Sequence, residues 1–296
     1  NGQGQTGHLA GETHAFERGD TRTDWRNLYA DRMHACGVTG DDKLWCWGLG
    51  ESGQLGDNTS LDRQQPIEAG GGFTNVVVNG VATAGLRGTE LWGWGIDVTG
   101  AGQFAAPRRF ASDIIGVALG EYHACGLEQT GRIVCGGANR YGQLGDGSFD
   151  DKPDAIVADT WRSIVASSVF TCATRPDGGL TNRLFCWGSQ YMIGVQTTVD
   201  IPAPVPVVLP ALDVQQVSLG ADFGCALIGA GELWCWGNNF YGQLGATDIQ
   251  FRSLSAGRAH ACGSIEANGI VFCWGNNGDG QTGPSIDPGH PVFEDE

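Results

Sequence analysis

The cysteines and histidines carry most of the reactive chemistry this chain could perform. Ten Cys fall into five pairs, Cys36 with Cys46, Cys125 with Cys135, Cys172 with Cys186, Cys225 with Cys235 and Cys262 with Cys273, separated by 10, 10, 14, 10 and 11 residues. Paired thiols suit either a disulfide or thiolate ligation of zinc. Zinc sites gather four ligands, commonly from CxxC-type spacings, and these pairs lack that spacing and offer two thiolates per segment. They read as five disulfides, and no metal or cofactor is assigned. His34, His123 and His260 each stand two residues before a paired Cys. A position that recurs in this way suits a structural hydrogen bond at a strand end better than a single active site. No serine or cysteine has a local nucleophile-and-base signature, so no catalytic residue is assigned and the chain reads as a non-enzyme. The run Asp146-Gly147-Ser148-Phe149-Asp150-Asp151 offers hard oxygens that suit calcium, but it reads as a solvated loop.

The elements that must position these residues are repeats. His34-Ala35-Cys36, Leu44-Trp45-Cys46-Trp47-Gly48 and Gly53-Gln54-Leu55-Gly56 return as His123-Ala124-Cys125, Ile133-Val134-Cys135-Gly136-Gly137 and Gly142-Gln143-Leu144-Gly145. Further copies run from Phe223-Gly224-Cys225 to Gly242-Gln243-Leu244-Gly245 and from His260-Ala261-Cys262 to Gly280-Gln281-Thr282-Gly283. Two are degenerate, Phe170-Thr171-Cys172 with Leu184-Phe185-Cys186-Trp187-Gly188, and Thr83-Ala84-Gly85 with Leu91-Trp92-Gly93-Trp94-Gly95. The last copy places Gly85 and Gly93 at the two cysteine positions, so the pair is missing as a unit. The hairpin repeats lie near 34–56, 83–103, 123–145, 170–194, 223–245 and 260–283, spaced 38 to 51 residues apart.

Apolar residues alternate with period two in these units, and Gly or Asn punctuates them, as at Asn268-Gly269, where a two-residue turn wants positive φ. Each unit therefore reads as a small antiparallel sheet, and a series of such sheets at this period reads as the blades of an all-β propeller. Residues 1–296 are expected to form one propeller domain with six complete repeats. A Gly4-Gln5-Thr6-Gly7 turn without a preceding hairpin and a connector over 284–296 leave six or seven blades open. Connectors range from 19 residues between Gln243 and Cys262 to 31 between Gln5 and Cys36, so a short connector is expected to lack an outer strand. Trp45, Trp47, Trp92, Trp94, Trp187, Trp234, Trp236 and Trp274 recur with the motif and are expected to fill the spaces between blades.

The 33 acidic residues outnumber the 17 basic ones, for a net charge of -16, which opposes sequence-independent binding to nucleic acid. No apolar run approaches the ~20 residues that span a bilayer, and the first residues are neither Met-initiated nor charged-then-apolar, so an already processed chain is expected. Five disulfides imply an oxidising setting: secreted, periplasmic or on a cell surface. Asn58-Thr59-Ser60 is a glycosylation tripeptide of little weight by itself.

The pattern Gly-x-x-His-x-Cys, Leu-Trp-Cys-Trp-Gly-x-Asn-x-x-Gly-Gln-Leu-Gly resembles the regulator-of-chromosome-condensation repeat, in a cysteine-paired form of secreted proteins. The resemblance implies a closed propeller, usually of seven blades, that acts through loops on its rims. Known members include a nucleotide-exchange factor, an ultraviolet photoreceptor and a secreted β-lactamase inhibitor, so the fold alone does not choose a function. A photoreceptor would need a tryptophan cluster outside the motif positions.

The residues that vary within the constant turn are Leu49-Gly50-Glu51-Ser52, Ala138-Asn139-Arg140-Tyr141, Ser189-Gln190-Tyr191-Met192-Ile193, Asn238-Asn239-Phe240-Tyr241 and Asn276-Asn277-Gly278-Asp279. Arg140, Tyr141, Tyr191, Met192, Phe240 and Tyr241 are large where turn chemistry asks only for Gly, Asn or Asp. A constant frame with variable, aromatic tips is how a binding surface is built. The leading expectation is an extracellular propeller that binds another protein or scaffolds an assembly. The alternatives are an inhibitor of the β-lactamase-inhibitor kind, or an extracellular propeller lyase.

Overall fold

The computed structural model describes residues 23–100, 102–176, 178, 181–191, 194, 198–211, 213–245, 249–265, 270–278 and 280–282. The Gly4-Gln5-Thr6-Gly7 turn, Met192, the Asn268-Gly269 turn and residues 284–296 lie outside them. Among the described residues every regular element is a strand, and the strands form six antiparallel sheets that follow one another along the chain. The fold is an all-β propeller of six blades.

Two compact units divide the chain. The first holds three four-stranded blades. Blade 1 runs from β1 (Trp25–Ala30) through β2 (His34–Thr39) and β3 (Lys43–Gly48) to β4 (Arg63–Gly71). Blade 2 comprises β5 (Thr74–Val78), β6 (Ala82–Arg87), β7 (Glu90–Asp97) and β8 (Gly102–Ala111). Blade 3 comprises β9 (Ile114–Leu119), β10 (His123–Glu128), β11 (Ile133–Gly137) and β12 (Lys152–Val157). The second unit holds the turn Asn139–Asp150 and the chain from Thr160. Its blade 4 is four-stranded, with β13 (Ser163–Ala166), β14 (Phe170–Pro176), β15 (Asn182–Gly188) and β16 (Ile201–Pro206). Blade 5 comprises β17 (Val214–Leu219), β18 (Phe223–Ile228) and β19 (Glu232–Gly237); blade 6 comprises β20 (Ser253–Ala256), β21 (His260–Ser264) and β22 (Val271–Gly275). Both are three-stranded among the described residues; in blade 5 this agrees with the short connector after Gln243, where Gln250 adds only an isolated bridge to Glu232.

Cross-strand register explains the cysteine spacing. In each of five blades the two Cys face one another across the hairpin of the second and third strands, and the disulfides are Cys36–Cys46, Cys125–Cys135, Cys172–Cys186, Cys225–Cys235 and Cys262–Cys273. Separations of 10, 14 and 11 residues differ because the hairpin loops differ in length, while the paired positions stay opposite.

Blade 2 corrects the sequence alignment. Ala82 pairs with Gly95 and Ala84 with Gly93, matching His34 with Gly48 and Cys36 with Cys46, so the absent cystine corresponds to Ala84 and Gly93. Gly85, which pairs with Trp92, takes the place of Gly37 instead. A small residue follows Cys in several repeats, and that shared glycine shifted the alignment by one.

The glycine after the second motif Trp ends each hairpin for a steric reason. Gly48 has φ 107°, and a Cβ there would lie 2.6 Å from the Met33 carbonyl oxygen; the strand bulges at this point against β4. Blade interiors are apolar. In the first unit, the blade 1 cystine packs with Leu44 and Leu55 against Phe73, Val76 and Trp94 of blade 2. In the second, Cys172 and Cys186 pack against Val214 and Trp236, and Cys225 against Phe251 and Leu254. Trp47, Trp94, Trp187 and Trp236 are buried as expected. Trp234 is not: it is 42% exposed, because no fourth strand flanks it among the described residues, whereas the equivalent Trp45 pairs with Glu68 on β4. Among the described residues no helix is long and apolar enough to cross a membrane.

Candidate interaction surface at the blade turns

The turn after each central hairpin is held by its own side chains. In the turn that follows β11, Asn139 Oδ1 accepts a hydrogen bond from the Leu144 amide at 2.9 Å, and its Nδ2 donates to the Ser148 carbonyl at 2.9 Å. Gln143 Oε1 accepts from the Tyr141 amide at 3.0 Å, folding the tip back on itself. The same pair of locks recurs in the turn after β19, where Asn239 accepts from the Leu244 amide and Gln243 from the Tyr241 amide. Asn277 accepts from the Thr282 amide at 3.0 Å in the last of these turns. The asparagine at the second tip position is therefore structural.

The glycines and leucine of the turn fasten it to the next blade. Leu144 is fully buried, and the Gln143 carbonyl accepts from Thr171 Oγ1 and Trp187 Nε1, both at 2.9 Å. Gly145, at φ 78°, lies so close to the Trp187 indole that a Cβ would stand 2.5 Å from Nε1. Gln243 and Trp274 repeat the arrangement at 3.0 Å.

The third and fourth tip positions are left to point outward. Phe240 is 74% exposed and stacks edge-on against Tyr241, itself 42% exposed, with centroids 4.8 Å apart. Tyr191, in the equivalent turn of blade 4, is 76% exposed. Arg140 is exposed and its guanidinium lies 6.0 Å from the ring centre of the half-buried Tyr141. These residues belong to one unit and to successive turns of it. Met192, the remaining residue of the expected set, lies outside the described residues.

The histidines are built into the frame. Thr83 Oγ1 donates to the Gln54 carbonyl at 2.8 Å, so His34 Nε2, 2.7 Å away, must be the donor to the Thr83 hydroxyl. Burial lowers the pKa of His34 and of His123 to about 4, and that of His260 in the same direction, which leaves His34 and His123 neutral near pH 7. Asp146 uses its carboxylate locally, where Oδ1 accepts from the Ser148 amide and hydroxyl. Among the described residues no three His, Cys, Asp or Glu gather as a metal site would require. Sequence reading missed the asparagine and glutamine locks, although their recurrence one position before and two after the outward-facing pair was a visible signal. Trp25 and Trp161, which lie outside the motif, were also passed over; they pack on Trp47 and on Phe185 with Trp187.

Comparison with known proteins places these features in context. Residues 34–54, 114–143, 214–243 and 251–281 match the regulator of chromosome condensation (RCC1) repeat. The chain is 26% identical over 246 residues to the ultraviolet-B receptor UVR8 of Arabidopsis thaliana, covering 75% of this chain and 55% of the receptor. It is also 26% identical to the mitochondrial RCC1 domain-containing protein RUG3 of the same plant, covering 72% of this chain and 54% of that protein. The chain thus spans about half the length of these relatives. Among solved structures, yeast RCC1 (Prp20), crystallised bound to Kap60, superposes with a TM-score of 0.76 at 18% identity, over 88% of this chain and 71% of that one.

Proposed function

Starting from a chain that carries RCC1 repeats in an RCC1-like β-propeller, we propose that it binds another protein through its aromatic blade turns, without catalysis and outside the cytosol. RCC1-like propellers serve as protein-interaction scaffolds, and yeast RCC1 was crystallised with a protein partner. The observation that carries the reading is the division of labour inside each turn. Asn239 and Gln243 close the turn, so Phe240 and Tyr241 are not needed for its folding, yet both rings are held in solvent. Exposed aromatics beside an arginine have the composition of interface anchors. The setting draws support from the five disulfides, since a reducing cytosol rarely sustains them. Secretion, the periplasm or a cell surface would each fit.

An enzymatic reading gains nothing from the histidines, which are buried and serve the frame. An inhibitor would use the same tips against a catalytic cleft, and no separate observation favours it. The test compares the wild type with Tyr191→Ala/Phe240→Ala/Tyr241→Ala in pull-downs from the extracellular fraction of the source, with thermal unfolding as the control for folding. A partner retained by the wild type should be lost with the variant at an unchanged Tm. Equal retention by both proteins would sink the reading.

A further inference from the structure

We propose that the seam between blades 2 and 3 binds a small uncharged aromatic molecule of one or two rings. Both blades belong to the first unit, and the inference does not rest on the protein-binding reading. The seam holds a partly open cavity of about 190 Å³, whose walls include Ala84, Gly93, Phe104 and Phe110 from blade 2 and Ile114, Val117 and Gly136 from blade 3. The lining is overwhelmingly apolar, and an apolar cavity of about 150 Å³ is already large enough to stay dry and take up benzene.

Two deletions account for the void: the cystine missing from blade 2, and Gly136 of blade 3, which stands where Trp94, Trp187 and Trp236 fill the seam toward the preceding blade. The cystine of blade 1 packs against Phe73 and Val76 of blade 2, that of blade 4 against Val214 and Trp236 of blade 5, and Cys225 against Leu254 of blade 6. In these three blades the cystine thus faces the following blade. By the shared register Ala84 and Gly93 face blade 3, where Ala84 clusters with Ile114 and Val117. Two sulfurs and one Cβ are absent there, and both Ala84 and Gly93 line the cavity. The space is therefore bounded by deletions in two neighbouring copies of an otherwise repeated packing unit.

The polar side chains on the walls point to an uncharged ligand. Thr83 spends its hydroxyl on the Gln54 carbonyl and His34, while Thr99 donates to the Asp97 carboxylate at 2.8 Å. Neither hydroxyl asks for a partner from an occupant. The Phe104 and Phe110 rings favour a flat ring, through edge and offset contacts. Phe110 is 41% exposed and meets Phe104 edge-on at 6.0 Å. Its ring also fills part of the room above Gly93, where a Cβ would lie 3.2 Å from it.

The experiment titrates benzene and naphthalene into the full chain, reading saturable binding by ligand-observed NMR and the rise of Tm with probe concentration. The oxidised Ala84→Cys/Gly93→Cys variant restores the cystine and should weaken binding at least tenfold. Gly93→Val fills the same space without new covalent chemistry and should weaken it at least fivefold; it stands in if the double variant does not fold. Absence of saturable binding to the wild type overturns the proposal. So does undiminished binding by the folded variants.

Discussion

His34 and His123 show how a residue that suggests catalysis can serve folding instead. Each imidazole is buried in its neutral form and takes up a proton only near pH 4 in the folded chain, against about 6.5 when unfolded. Between these values the unfolded chain binds more protons, so stability is full above about pH 6.5 and falls as the pH drops toward 4. The shift corresponds to about 3 kcal/mol per histidine at the acid end of that window. Urea unfolding midpoints are expected to decline from pH 7 to pH 4, and His34→Gln should be less stable at pH 7 but show a shallower acid decline. A midpoint that stays level across this range in the wild type would refute the account. The recurrence of histidine was plain in the sequence. Its partner Thr83, 49 residues away on the next blade, was not, because only folding brings the two together.

At the scale of the element, the Gly-Gln-Leu-Gly turn is a plug as much as a turn. Gly145 and Gly147 both have positive φ, 78° and 84°, but their surroundings differ. A Cβ on Gly145 would stand 2.5 Å from Trp187 Nε1, while one on Gly147 would meet nothing within 4 Å. Gly147→Ala therefore carries only the left-handed backbone cost, about 1 kcal/mol. Gly145→Ala adds displacement of a buried indole and its hydrogen bond to the Gln143 carbonyl, and should cost about 3 kcal/mol or more. Chemical denaturation of the two variants measures the difference, and equal costs would show that the turn is not fastened to the next blade. The repeat made the turn legible, including its glycines. The indole it seats against belongs to another repeat, and local pattern does not report such contacts.

For the whole molecule, the five disulfides are the dominant covalent feature. Intact mass without reduction should show no free thiols, and reduction should lower Tm markedly. Each bridge closes a short loop and contributes up to about 3 kcal/mol in the chain-entropy view, less where the hairpin already restricts the unfolded chain. Ten titratable thiols in the native protein would remove both the staples and the argument for an oxidising setting. The charge of -16 adds a separate constraint, setting the surface against polyanions without naming the protein it meets.

Repeat period, strand content and cysteine pairing were determined by the sequence alone, since each is written in local spacing that every copy reiterates. Tertiary structure decided what fills the seams. It moved the missing cystine from Gly85 to Ala84, because register is set by pairing across strands and a slip of one residue reverses the face a side chain presents. It also turned Trp234 outward while burying Trp236, and held Phe240 in solvent beside a turn already closed by Asn239. Those outcomes depend on which strand or blade lies alongside, information spread over distant parts of the chain that no single repeat contains.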